Sequence, residues 1–182
     1  MLYNRISQKG WWDMYTERIY SLTKRLKNRY RTSDPFELAD ALNINITFKK
    51  FDKLKGMYYI VERCAFITLN EELDEVMQKI VLLHEIGHHI LHRHLASRSF
   101  QEFCLYDMTS KPEMEANIFA ANITLDDNDI ISLARDEGYT AEQIARALYV
   151  PYPLLLIKMK DMNTRGYNFR IPYIPRADFL GR

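Results

Sequence analysis

The sequence predicts an α+β domain, mostly helical, with a small antiparallel sheet. Three observations carry that reading. Several long stretches place apolar residues three and four apart. Short runs near residues 44–48, 57–61 and 64–69 are β-branched or alternate in polarity. Two short helical patterns separated by a tight turn follow near residues 140–162.

The elements follow in order. Residues 11–30 form a first helix, with Trp11, Trp12, Tyr15, Ile19, Leu22 and Leu26 as its apolar stripe. Asp34-Pro35 opens a second helix that runs to Leu42. Ile44 to Phe48 is a strand, and Met57 to Val61 and Cys64 to Leu69 are two more, joined at Glu62-Arg63. An exposed edge there suits a peptide added as a further strand. Residues 72–91 form a long helix, capped by Asn70 and opened by Glu71, Glu72, Asp74 and Glu75, acids that a helix dipole favours. Residues 93–111 lack periodicity and read as a loop or short helix. Ser110 and Pro112 open the next helix, and Asp127 to Arg135 forms another. Thr140 and Gln143 make a capping box, the helix behind it ends at Leu148, and a turn at 149–151 leads to a last helix through about Met162. The chain therefore divides into a helical extension at 1–33, a central domain at 34–138, a helix pair at 139–162 and an extended tail at 163–182.

The 182 residues suffice for one sizeable core, and 47% hydrophobic with 27% charged residues fit an ordinary globular chain. No apolar run approaches the roughly 18 residues of a membrane span. Charges run through the first 30 residues, unlike a signal peptide, and Cys64 and Cys104 form no C-x-x-C pair. A cytoplasmic protein with reduced thiols and no membrane partner is expected. Net charge is only +1, but both ends are basic and the middle is acidic.

The chemistry sits in five residues, His84-Glu85-Ile86-Gly87-His88. Residues four apart share a helix face, so both imidazoles can meet one metal ion. Glu85 lies about 100° round the helix, beside the first ligand, where a carboxylate base belongs next to an open coordination position. Gly87 lowers helix stability by roughly 1 kcal/mol relative to Ala, so a close backbone approach explains it better than propensity does. A third ligand must come from elsewhere. On the helix after Pro112, Glu113 shares a face with Ala116, Asn117 and Ala120, small or short residues that permit close helix packing. Glu115 points with Phe119 and Asn122 to another side, which favours Glu113 as the ligand. Glu115 and Asn117 are candidates to support the ligands. His94 and Tyr106, in the stretch before this helix, are candidates to stabilise an oxyanion. Two histidines and a carboxylate suit one Zn²⁺ per chain.

The apolar helix reading His84-Glu-Ile-Gly-His88, followed by Glu113-Met-Glu-Ala116-Asn-Ile-Phe119-Ala120, resembles the ImmA/IrrE family of metallo-endopeptidases. The resemblance spans residues 34–160 and lacks only the family's proline after the second motif, where this chain reads Asn122-Ile-Thr-Leu125. It implies a zincin-like domain in which Glu113 is the third zinc ligand and Glu85 the catalytic base. It further implies a protein substrate, a helix-turn-helix transcriptional repressor of a phage or mobile element. Two rivals follow from the same chain. One is a regulatory protein that binds such a repressor without cutting it. The other is a DNA-binding regulator using the C-terminal helix pair. Pro151-Tyr-Pro-Leu-Leu-Leu-Ile is too apolar to read bases, so direct nucleic-acid binding is not expected.

Overall fold

The computed structural model describes residues 11–94, 110–135 and 137–172, and of residues 11–14 the backbone alone. Tyr106 and Cys104 lie outside the described residues, as do the side chains of Trp11 and Trp12 and the tail beyond Pro172. The chain is α+β and mostly helical. Its elements are α1 (Trp11–Tyr30), α2 (Pro35–Ala41), β1 (Ile44–Lys49), β2 (Gly56–Val61), β3 (Cys64–Asn70), α3 (Glu75–Leu91), α4 (Lys111–Thr124), α5 (Asp127–Arg135), α6 (Ala141–Ala147) and α7 (Tyr152–Thr164).

The sheet is small, as the sequence predicts, but mixed. β2 pairs antiparallel with β3, whereas β1 pairs parallel with β3 on its other side. The physical reason is the burial of β3. Ile67 and Leu69 are fully buried, so this strand takes the centre and needs a neighbour on each edge. The chain leaving β1 must therefore cross to the far edge before β2 begins. Asn70 holds that crossing, its amide donating to the Phe51 and Leu54 carbonyls at 3.0 Å each.

That role corrects the expected cap of the long helix. Asn70 ends β3, and its Oδ1 accepts from Glu72 N–H in a local turn. Asp74 is the N-cap instead, accepting from Met77 N–H at 2.8 Å, and the helix starts at Glu75. The caps of α2, α4 and α6 fall where the sequence puts them, on Asp34, Ser110 and Thr140.

α4 is the centre of the molecule. Every residue from Glu113 to Ile123 is buried. α3 packs along one side, and α1 and α7 along the others. The sheet and α2 lie against α3. A helix enclosed on all sides carries little amphipathicity, and its alanines let neighbours close in. The contact is tightest at Gly87. A Cβ placed there would lie 3.1 Å from Ala116 Cα and 3.3 Å from the Phe119 ring. Both α6 and α7 join this core, and Leu154, Leu155 and Leu156 of α7 are fully buried.

Charge is also buried. Lys158 of α7 donates to Asn122 of α4 at 2.6 Å and pairs with Asp127 of α5 at 2.6 Å. Arg165 pairs with Asp127 and with Asp161, and its guanidinium lies 3.7 Å from the centre of the Tyr20 ring of α1. Burial would raise the Asp127 carboxyl, but Arg165 and Lys158 hold it at about 2. Four helices are thereby fixed to one another by one polar network. Among the described residues no helix is long and apolar enough to cross a membrane.

The two asparagine and aspartate roles predict different losses. Asp74→Ala removes one cap and is expected to cost about 1 kcal/mol. Asn70→Ala strands two loop carbonyls and is expected to cost about 2–3 kcal/mol. Urea denaturation of both variants checks the order; a larger loss for Asp74→Ala would show that the crossing loop does not depend on Asn70.

Candidate metal centre

α3 carries His84 and His88 on the face turned to α4, and the approach at Gly87 sets the distance between the helices. Both histidines are buried, 1% and 2% exposed, and Glu113 of α4 meets them from across the gap. His84 Nε2 and His88 Nε2 lie 3.1 Å apart. Glu113 Oε2 is 3.2 Å from His84 Nε2, and Glu113 Oε1 is 3.3 Å from His88 Nε2. Zinc bonds to nitrogen or oxygen of about 2.0–2.1 Å set tetrahedral ligands roughly 3.3–3.4 Å apart. The three side chains are therefore spaced as three corners around one such ion, and among the described residues these are the ones whose donor atoms converge closely enough to hold a metal. Both Glu113 oxygens are buried without a well-formed hydrogen bond, which leaves their lone pairs available to a cation. The residues present fit a metal of the zinc type.

Hydrogen bonds behind the ligands fix their orientation. His84 Nδ1–H donates to Asn117 Oδ1 at 2.9 Å, which puts the lone pair of that ring on Nε2, toward His88 and Glu113. Asn117 is fully buried one turn beyond Glu113. Glu115 turns the other way. It accepts from His92 Nε2–H at 2.7 Å, and Lys111 stands 3.9 Å from its second oxygen. His92 is one turn past His88, its ring 5.4 Å from that of His88. The Glu115–His92 pair thus clamps the two helices just beyond the cluster. His94 lies exposed in the turn after α3, outside the cluster.

Glu85 points from the other flank of α3 toward β2. It is buried, and its carboxylate accepts the backbone N–H of Tyr58. Gly56, two residues earlier, makes this approach possible: a Cβ there would fall 2.5 Å from Val81 Cγ1 and 3.5 Å from Glu85 Oε1. Glu85 Oε2 has no partner among the described residues. The Tyr58 hydroxyl shares a hydrogen bond of 2.9 Å with His89 Nδ1, which holds His89 away from the cluster.

The electrostatics divide the carboxylates. Burial pushes Glu85 up to about 7. Burial would raise Glu113 too, but its contacts with His84 and His88 outweigh that and hold it at about 2. Burial lowers His88 to about 4. Burial also acts to lower His84, but Glu113, Glu85 and Asn117 more than offset it, and the ring is raised. One carboxylate is thus a permanent anion facing the imidazoles, and the other titrates near neutrality, where a general base is useful.

The sequence pointed to Glu115 as a support but not to His92 as its partner, and it did not point to Tyr58 or Gly56. Gly56 at a strand start was a usable signal, since a glycine there marks close approach of another element. Lys158 inside the apolar run of α7 was another, since a charge at such a position needs buried partners.

Residues 39–160 match the family model described as the IrrE N-terminal-like domain, a peptidase family. The chain is 33% identical over 141 residues to "Uncharacterized immunity region protein 2" of Bacillus phage phi105, covering 77% of this chain and 88% of that protein. It is 28% identical over 123 residues to "Metallopeptidase ImmA" of Bacillus subtilis (strain 168), covering 66% of this chain and 71% of that one.

Two outcomes are expected. First, Asn117→Ala should weaken zinc binding about 10–100-fold. Glu113→Ala should abolish stoichiometric binding, and Glu115→Ala should retain it. Competition with a chelating dye reads all three; equal loss for Glu115→Ala would place the third ligand wrongly. Second, Glu85 has its pKa raised on folding, from an ordinary 4.5 to about 7. The native state then binds the extra proton between those values, so stability falls as pH rises through that window. Metal-free Glu85→Gln escapes the loss and should exceed metal-free wild type by on the order of 3 kcal/mol at pH 8, with the gap closing toward pH 4.5. A gap that is constant from pH 5 to 8 in denaturant titrations would mean that Glu85 does not titrate there.

Proposed function

Since the chain belongs to the IrrE N-terminal-like peptidase family, we propose that it is a zinc-dependent endopeptidase whose substrate is a transcriptional repressor of a phage or mobile element. One observation carries the peptidase reading. Two imidazole nitrogens and a carboxylate, 3.1–3.3 Å apart, stand in a buried cluster with a second carboxylate of raised pKa on the adjacent helix position. The repressor half rests on relatives named for a phage immunity region and as a metallopeptidase. The acidic middle of the chain, ten Lys and Arg against eighteen acids over residues 36–139, complements a basic DNA-binding substrate.

In this reading His84 Nε2, His88 Nε2 and Glu113 hold the metal, and Glu85 is the base. When bound, zinc supplies Lewis acidity, polarising the scissile carbonyl and making water easier to deprotonate. Glu85 Oε2, the carboxylate oxygen without a partner, takes the proton of the attacking water and returns it to the leaving amine. Tyr58 N–H keeps the Glu85 carboxylate pointed at the reacting centre while that proton comes and goes. Asn117 holds the His84 tautomer throughout. β2 is an edge strand beside Glu85, so a substrate chain laid along it would bring its peptide bond close to the base.

Glu85→Gln keeps size and hydrogen bonding but cannot take a proton. It is expected to retain fold and zinc while losing cleavage of a helix-turn-helix repressor substrate by about 10²-fold or more. Incubation of wild type and Glu85→Gln with that repressor, read by mass spectrometry, checks it. Cleavage by Glu85→Gln at the wild-type rate would sink the mechanism. Full relief of repression in cells by Glu85→Gln would favour the non-catalytic binding protein.

A further inference from the structure

A second cavity lies at the opposite end of the sheet from the Asn70 crossing. It has a volume of about 550 Å³, within the range of small-molecule sites. Arg63 and Cys64 from the β2–β3 turn, His89 and Arg93 from α3 and the turn beyond it, and Asp40 and Asn45 line it. Its charge is unbalanced, with two guanidiniums against one carboxylate. Some cations of the molecule are matched, as Lys50 is by Glu72, Lys79 by Glu75, and Lys158 and Arg165 by Asp127. Among the described residues neither Arg63 nor Arg93 forms an ion pair.

Arg63 is also held where it is at a cost. It follows Glu62 in a two-residue hairpin turn, and both have left-handed backbone, φ 70° and 48°. Such turns favour Asn-Gly, and a side chain in this region is strained. Asn45, whose amide N–H donates to the Ala65 carbonyl at 3.1 Å, is neutral and adds no counter-charge to the cavity.

We propose that this cavity binds a small oxyanion, a phosphate- or carboxylate-bearing molecule, through Arg63 and Arg93. Guanidinium groups present paired N–H donors that match both kinds of head group. The site is separate from the metal cluster yet adjoins it. His89 follows His88 on α3 and bonds the hydroxyl of Tyr58, whose own N–H is on Glu85. A ligand here therefore contacts His89, one hydrogen bond away from the residue whose N–H positions the base.

The test uses the full chain at constant ionic strength and does not depend on proteolysis, so its failure and that of the peptidase reading are separable. Inorganic phosphate and succinate are titrated separately by calorimetry, while alkylation of Cys64 is followed by peptide mass mapping. Saturable one-site binding of either anion is expected, with slowed Cys64 alkylation at saturation. The stronger of the two identifies the head group. Arg63→Ala and Arg93→Ala should each weaken it by about tenfold or more, because each removes charge-assisted hydrogen bonds. Arg93→Lys should recover only part, since it restores charge without the planar fork. No saturable binding of either anion, or equal affinity in the alanine variants, would overturn the proposal.

Discussion

The backbone approach of α3 and α4 at Gly87 and Ala116 is the constraint on which the rest of the structure depends. A Cβ at 87 would stand 3.1 Å from Ala116 Cα, and backbone cannot yield as a flexible side chain can. This contact sets how far Glu113 lies from the two histidines. At a looser spacing the carboxylate would fall short of both Nε2 atoms, and at a tighter one the rings would collide with α4. Alanines at 116, 120 and 121 serve the same end on the facing helix. The Glu115–His92 bond then fixes the helices in register one turn further along.

That closeness creates an electrostatic problem. Two imidazoles and two carboxylates are removed from water in the core of a small domain, where burial of an unpaired charge is strongly unfavourable. The fold distributes the cost unevenly. Glu113 is stabilised as an anion by the histidines, whereas for Glu85 burial outweighs the attraction of His84 and the Tyr58 N–H and raises its pKa to about 7. A divalent cation among the three converging donors would complete the compensation. The same arrangement thus explains why the cluster suits a metal and why its neighbour suits proton transfer.

A second polar network supports the first from behind. α4 presents Glu113 and Asn117 toward α3 and Asn122 toward α7, so it is held by polar contacts at both ends. Lys158, Asp127, Asp161 and Arg165 tie α5 and α7 to it, and Tyr20 brings in α1. Partnered buried charges tolerate few alternative packings, because removing one partner leaves another uncompensated. Shifts of the N-terminal or C-terminal helices are therefore resisted at the helix that carries Glu113.

The sequence by itself determined what depends on neighbours along the chain. The helix period put His84 and His88 on one face and Glu85 beside them. The same period put Glu113 in line with Ala116, Asn117 and Ala120, apart from Glu115. The caps at Asp34, Ser110 and Thr140 were legible for the same reason, because each bonds within its own first turn. Where a residue had a local and a distant option, the sequence misled. Asn70 looks like a cap but serves a loop some 16 to 19 residues away, and Asp74 four positions on takes the cap. The parallel pairing of β1, the Tyr58 N–H on Glu85, the clamp of Glu115 on His92 and the partners of Lys158 were likewise decided only by the tertiary structure. Each joins segments whose faces meet through packing of the whole core, and no periodicity along one helix or strand encodes which faces those are.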